Sequence, residues 1–527
     1  MRTLIGIVAL GLAASSGATA QSVRFVDSRA PAGGDGRSWS TAYRHLQDAL
    51  TAARRSGGAI REIRVAQGRY TPDLGAGRTP GSRTASFRLV GGVVVRGGYS
   101  GLGTPSPGAR NPGAWPTVLS GDLAGNDVPG YAGSGENSYH VVTAANVGST
   151  TVLDGCVVRG GYAFAVAGDG GAGIRIVGGA PRFIDCVIDS NAAGLGAGVL
   201  NLRGAPTFRR CEFRGNLAWQ FRGGAYFGAG GDTPKVARFI DCLFVENRAF
   251  SYSTGSDGGA IFCEPNAPVL LSRCEFTGNS AQAGHFSWGM GGALCSLADG
   301  VVLHGCRFFG NSGNGGGAVW TGRRTQMADC IFSGNQARWA GAVAVFVGSA
   351  ALVNCTLAGN RAEDGGGVGC EYGSVAVSNC VLWGNTAVNA DSAYKAQVHT
   401  SAGGTASLRH SCVQGVLTGA PGEDPPNPAD FPGCTEADPL FVDPDGPDGI
   451  RGTSDDDLRV QAGSPCLDAG DNAAVPADVL DLDGDGNRAE RLPVDVLGQP
   501  RRVDDPAAPD VGAGTAPLVD MGAHERQ

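Results

Sequence analysis

Acid–base chemistry needs carboxylates held close together, and the acids of this sequence are scattered. One set falls in a column. The phrase Gly-Gly-Ala-apolar recurs at residues 223–226, 258–261, 291–294 and 316–319. Aligned at the residue before each such glycine-rich phrase, the column reads Asp169, Leu195, Arg222, Asp257, Met290, Gly315, Trp339 and Asp364. No two acids in it are neighbours. Asp257 stands beside Arg222, a spacing that predicts a surface ion pair rather than a catalytic dyad. Glu264 and Glu371 occupy matched places four repeats apart, roughly 19 Å at one strand spacing per repeat. That exceeds the separation at which paired carboxylates act on one bond. The seven His residues fall in no metal or nucleophile motif, and His304, inside a repeat, is expected to be a packed side chain.

Two other patterns point to binding. In the run Asp-Leu-Asp-Gly-Asp-Gly-Asn (481–487), carboxylates alternate around a central glycine, as in a calcium loop. Asp481, Asp483, Asp485 and Asn487 are therefore candidate ligands for a structural calcium ion. The twelfth position is Leu492, so the bidentate acid is missing and weak binding is expected. The acidic phrases at 443–448 and 455–457 are poorer versions. Aromatic residues gather just before the Gly-Gly-Ala phrases: Tyr162 and Phe164, Trp219 and Phe221, Phe250 and Tyr252, Phe286 and Trp288, then Trp339. A stripe of rings suits the apolar faces of an extended glycan, with Trp219, Phe250, Tyr252 and Trp288 as the expected contacts. The competing reading is that the rings fold over their own loops and shield a corner.

The elements that place these residues are repeats. Between Cys156 and Cys412 a cysteine returns every 24 to 32 residues, and Asn stands five residues after it at 191, 216, 247, 279, 311, 335, 360 and 385. Such a period marks a stacked solenoid. Two apolar columns flank the Cys. Three residues before it come Leu153, Phe183, Phe208, Phe239, Leu271, Leu303, Met327, Leu352 and Val377. Two residues after it come Val158, Ile188, Phe213, Phe244, Phe276, Phe308, Phe332, Leu357 and Leu382. Cys and its +2 neighbour share a strand face, whereas the −3 position is out of phase, so a bend is expected between them. One phrase returning in one direction requires parallel rungs. The sequence thus predicts an all-β, right-handed parallel β-helix with a rise of about 4.8 Å per rung. The Asn column predicts a ladder at a corner, since Asn tolerates a left-handed turn and its amide can bond the next rung. The cysteine column reads as buried thiols filling the core, because one rung rise is somewhat long for a relaxed disulfide. Cys263 and Cys295 read as a second rung-matched pair. Cys434 and Cys466, outside the repeats, are the better disulfide candidates.

Residues 1–20 have a charged start at Arg2, an apolar stretch and Ala-Thr-Ala, the pattern of a signal peptide cleaved near Ala20. A secreted or cell-surface protein that does not span the membrane is expected. Residues 21–83 form an N-terminal cap, with Ser40 capping an amphipathic helix that runs to about Arg55 and buries Leu46, Ala49, Leu50 and Ala53. The β-helix occupies 84–415, and 416–527 make an acidic, turn-rich, irregular C-terminal cap and tail. A net charge of −8, thinly spread, argues against nucleic acid as a partner, and a monomer is expected.

The repeats resemble the pectin lyase-like superfamily of right-handed parallel β-helices. The pairing of Phe-Val-Glu-Asn (244–247) with Gly-Gly-Ala-Ile (258–261) is similar to the passenger repeats of polymorphic outer-membrane proteins. Ser-Trp-Ser-Thr-Ala-Tyr-Arg-His-Leu-Gln-Asp-Ala-Leu (38–50), Val-Leu-Ser-Gly-Asp (118–122), Gly-Ser-Pro-Cys-Leu-Asp-Ala-Gly (463–470) and Asp-Met-Gly-Ala-His-Glu (520–525) resemble bacterial exported β-helix proteins with a choice-of-anchor Q region. The resemblance implies this fold, export and surface association, and no particular activity. It departs from the group in ending on a polar tail at Gln527. The expected function is a non-catalytic one in surface structure, adhesion or binding of a cell-envelope or extracellular polysaccharide. The alternative is a polysaccharide lyase or glycoside hydrolase on the same scaffold.

Overall fold

The computed structural model describes residues 22–164, 170–252, 255–284, 288–418, 425–478 and 485–527. The expected signal peptide, Asp169, Phe286, Asp481 and Asp483 lie outside them. The chain winds as a right-handed parallel β-helix, with sheets of 13, 12 and 11 parallel strands and a shorter one of five. One rung passes through Val199–Leu202 (third sheet), Thr207–Arg209 (first), Glu212–Arg214 (second) and Leu217–Trp219 (fourth), then re-enters the third at Tyr226–Ala229.

The −3 column lies on the inner face of the first sheet and the +2 column on that of the second, all fully buried. The expected bend between them is a single left-handed residue before each of the nine column cysteines from Cys156 to Cys380, for example Arg210 (φ 50°) and Asp241 (φ 55°). It turns the chain so that both columns point inward. Inner rings then stack at the rung spacing, with centroids 4.9 Å apart for Phe208–Phe239 and 4.4 Å for Phe244–Phe276.

The Asn column is fully buried at all but its last member. The side-chain amide of Asn247 donates to Oδ1 of Asn279 (3.0 Å) and to the carbonyl of Phe213 (2.9 Å). Its own Oδ1 accepts from the backbone N–H and the amide of Asn216 (3.2 and 2.9 Å). The pattern runs from Asn191 to Asn385, where Gln397 accepts the last bond at 2.7 Å. The left-handed position is the residue before each Asn, such as Gly278 (φ 63°) or Glu246 (φ 52°), not the Asn itself. The Asn stays extended so that its amide can point along the stack.

All fifteen cysteines carry free thiols, including Cys434 and Cys466. These two do not pair. Cys466 packs with Cys412 and Val381, whereas Cys434 lies against the main core. Cys263 and Cys295 are also not matched. Register sets Cys263 opposite Ser296 and Phe262 opposite Cys295, so one thiol enters the main core and the other faces outward.

Near the N-terminus, helix α1 (Leu46–Arg55) buries Leu46, Ala49, Leu50 and Ala53 over strands Val23–Val26, Glu62–Ala66 and Phe87–Arg88. It begins later than expected. Ser40 bonds Ser38 (2.8 Å) instead of capping, because Tyr43 first pairs with Val26 in extended conformation. At the other end Phe431 and Cys434 pack with Tyr394 and Val416 beside the last rungs.

The rest of the C-terminal region doubles back along the outside of the solenoid. Leu458, Val496 and Ala523 cover Phe309, Ile331 and Ala358 of the second sheet. Arg501, wholly buried, reaches Asp329 of the solenoid at 2.6 Å and Glu525 at 3.4 Å. Asp329 also bonds His304 (3.0 Å), which is therefore the packed side chain expected of it. Among the described residues, no helix is long and apolar enough to cross a membrane.

Two stability predictions follow from these contacts. Asn279→Ala strands the backbone N–H of Asn247 and the carbonyl of Phe244, and should lower unfolding stability by about 3 kcal/mol in urea titrations. A loss below about 0.5 kcal/mol would remove the ladder from the account. Arg501→Met deprives the buried carboxylates of Asp329 and Glu525 of the guanidinium they share, an effect of roughly 3–5 kcal/mol. Limited proteolysis should then cut first within 438–527, and an unchanged digestion pattern would show that apolar contacts alone hold the region.

Candidate functional site: an aromatic groove on the third sheet

Strands of the third sheet alternate strictly. Their first residues, Val199, Tyr226, Ile261, Leu294, Val319, Val343 and Val368, point into the core. Their second residues point outward and stack in register: Leu200, Phe227, Phe262, Cys295, Trp320, Ala344, Gly369 and His399. Most of this outer column is apolar. It forms its own cluster with Leu195, Met290, Leu297, Trp339 and Phe346, delivered by flanking loops and strand ends. Gly369 is required here, since a Cβ on it would come within 3.0 Å of the Trp339 ring. Phe227–Phe262 and Trp320–Phe346 stack at 5.3 and 6.1 Å.

Two open hollows lie on this face. One, of about 420 Å³, is lined by Arg222, Asp257, Phe262, Trp288, Met290 and Trp320, among others. The other, of about 360 Å³, is lined by Trp288, Met290, Trp320, Trp339, Phe346, Asp364, Glu371, His399 and Ser401. Shared walls of Trp288, Met290 and Trp320 make them one groove. It crosses the six strands from Ile261–Cys263 to Val398–Ser401, roughly 24 Å at the strand spacing.

The expected Arg222–Asp257 pair forms the floor at one end, at 2.7 Å. Asp257 also accepts the Met290 N–H (3.2 Å), and Arg222 lies 4.7 Å from the centre of the Phe262 ring. Burial pushes the Asp257 carboxyl above its ordinary range, against the pull of Arg222. At the other end Asp364 precedes the strand Val368–Glu371, and Glu371 is its last residue. His399 neighbours Gly369 between them. Glu264 does not line either hollow. Its rung position remains four strands from Glu371.

Of the four aromatic contacts expected from sequence, Trp288 stands in the groove, 53% exposed. The other three make a separate cluster on the fourth sheet. Trp219 pairs in register with Phe250 (5.3 Å), and Tyr252 packs against both, at 6.0 and 4.7 Å. The segments carrying this cluster lead into Arg222 and into the 255–257 stretch of the groove wall. Trp320, Phe262, Phe346 and His399 escaped the sequence reading. The phrase Gly-Gly-Ala-apolar defines only four residues of each repeat. Its fifth position, immediately after Gly-Gly-Ala-apolar, holds Phe227, Phe262, Cys295 and Trp320. Of the calcium candidates, Asp485 and Asn487 are exposed, and each caps its own turn by accepting a backbone N–H two residues on (2.6 and 3.2 Å).

The family model "Right handed beta helix region" matches residues 199–411. No curated protein matches the chain. Among solved structures, the crystal structure of pectate lyase Pel9A aligns over 96% of both chains at 14% identity, with a TM-score of 0.42. Fold and surface together define the class: a right-handed parallel β-helix carrying an aromatic-lined groove across its rungs.

The two groove tryptophans should separate in stability. Trp320 is 8% exposed, and Trp320→Ala should cost about 3–5 kcal/mol. Trp288→Ala should stay within about 1 kcal/mol of wild type in chemical denaturation. Equal losses would mean that Trp288 is core and the groove is closed.

Proposed function

We propose that this protein binds an extended polysaccharide without cleaving it, as an exported β-helix acting at or near the cell surface. The observation that carries this reading is the continuous groove with Trp288, Trp320 and Trp339 along it. Ring faces spaced along a solenoid suit the apolar faces of successive sugars. The sheltered Arg222–Asp257 pair supplies fixed donors and acceptors for hydroxyls. Trp219, Phe250 and Tyr252 extend the aromatic surface on the neighbouring sheet.

The acid arrangement supports binding over catalysis. Asp257 is engaged by the Arg222 guanidinium and the Met290 N–H, and among the described residues no second carboxylate lines its hollow. A second reading, glycoside hydrolysis or polysaccharide elimination, is favoured by the presence of Asp364, Glu371 and His399 around one hollow. The two readings differ in their products.

Affinity electrophoresis through gels containing acidic or neutral polysaccharides should retard the wild-type protein, and retardation should grow with glycan length. Trp288→Ala with Trp219→Ala should weaken it at least several-fold while the melting temperature stays nearly constant. New reducing ends or unsaturated products, lost in Glu371→Gln, would replace the binding reading with the enzymatic one. Migration unaffected by every polysaccharide tried would leave the protein a structural surface component.

A further inference from the structure

An unbalanced group of carboxylates lies outside the groove, in the C-terminal region. Asp468 is fully buried, and its Oδ1 has no hydrogen-bond partner. Its Oδ2 accepts one bond, from the N–H of Asp505 at 3.3 Å. Asp504 and Asp510, both exposed, bring one carboxylate oxygen each to the same place. The three oxygens lie within 4.8 Å of one another. Asp520 stands close by, accepting the N–H of Asp468 (2.8 Å). The cationic side chain of Arg526 is taken by Asp505. Burial and the neighbouring acids together raise the Asp468 carboxyl above its ordinary value. A buried carboxylate with an orphan oxygen, facing two more carboxylates, is a large unbalanced charge.

We propose that Asp468, Asp504 and Asp510 bind a calcium ion that fastens the 502–512 segment to the 463–470 segment. The chemistry of the donors selects the ion. All are hard carboxylate oxygens, with neither thiolate nor imidazole among them, a donor set that favours calcium or magnesium over zinc. Oxygens within 4.8 Å of one another are close to the spread that one ion spans at about 2.4 Å, the calcium–oxygen distance, and the exposed Asp504 and Asp510 can draw in the remainder. Two of the three ligands come from irregular, exposed loops, which suits the flexible coordination of calcium better than the strict octahedron of magnesium.

Another acidic group, Asp122, Asp127 and Glu136, lacks this character. Its carboxylates already accept the N–H groups of Leu123, Ala124, Gly125 and Asn126 and the Asn137 amide. In the proposed site the ion would reinforce a join that the backbone already makes. The carbonyl of Asp468 accepts the N–H groups of Val511 and Gly512, and Asp471 bridges Ala513. Cys466 and Ala469 of the first segment pack on Val381 and Cys412 of the solenoid, so the ion would help dock the region as a whole.

The test uses the full mature chain, stripped with a chelator, then titrated with calcium chloride and separately with magnesium chloride by calorimetry. One calcium ion per chain is expected at this site, with Kd about 10⁻⁴–10⁻³ M and magnesium much weaker. Calcium should also raise the melting temperature and slow proteolysis of 463–527. Asp504→Asn and Asp510→Asn, alone and together, alter exposed positions. They should weaken calcium binding at least tenfold while the metal-free circular dichroism matches wild type. Asp485→Asn and Asp127→Asn should leave the affinity unchanged. Absence of calcium heat and of any melting shift in the wild type would overturn the proposal. So would binding that survives the double variant but is lost in Asp485→Asn or Asp127→Asn.

Discussion

Register between rungs is the constraint on which the rest of this structure depends, and the buried asparagine ladder sets it. Each amide in the run from Asn191 to Asn360 donates from Nδ2 to the Oδ1 of the next rung's Asn and to a backbone carbonyl of the previous rung. A slip of one residue would turn the amide outward and leave those partners unsatisfied in the core. It would also flip every inner residue to the surface. The ladder is thus what holds Phe208 over Phe239 and Phe244 over Phe276, rather than a consequence of that stacking. The cysteines add small apolar volume at the corner, each thiol lying near backbone carbonyls, as Cys242 does to Phe208 and Ile240 at 3.5 and 3.4 Å.

A fixed register also organises the exterior. Loops between the second and third sheets differ in length, yet each must return to the same Gly-Gly-Ala corner. Whatever those loops carry is presented at one height per rung. This is how Arg222, Asp257, Met290, Trp339 and Asp364, far apart in sequence, come to share one edge of the groove. The repeats serve the site by aligning loops that do not themselves repeat.

What was legible in the sequence follows from this division. The −3 and +2 columns, the Asn ladder, the apolar face of α1 and the Arg222–Asp257 pairing all rest on periodicity, and the structure has them. Ser40 misled because capping preference is local, while the pairing of Tyr43 with Val26 is not. Cys263 and Cys295 misled because one residue of offset in a strand reverses the face. Trp320 was hidden because outward positions have no obligatory residue type, so their column shows only once the register is known. The course of 438–527 carried no period at all. Its anchor, Arg501 to Asp329, joins residues 172 positions apart.

The outer faces nevertheless record what covers them. On the second sheet, bare rungs mix charged and apolar outward residues, Glu212, Arg214 and Glu275 beside Val187, Leu243 and Val245, whereas the buried Phe309, Ile331, Ala358 and Val381 lie beneath the C-terminal region. On that sheet a cluster of buried outward apolar residues goes with cover. By that rule the outer column of the third sheet, apolar from Leu200 through Ala344, also belongs under something. Among the described residues, none of the C-terminal region lines the hollows on that face. Met290, Trp339 and Phe346 shelter part of the column, and Trp288 stands half in solvent above it. An apolar strip that the chain itself leaves partly open, on a scaffold that spends its tail covering the adjacent sheet, is the physical argument for a ligand there.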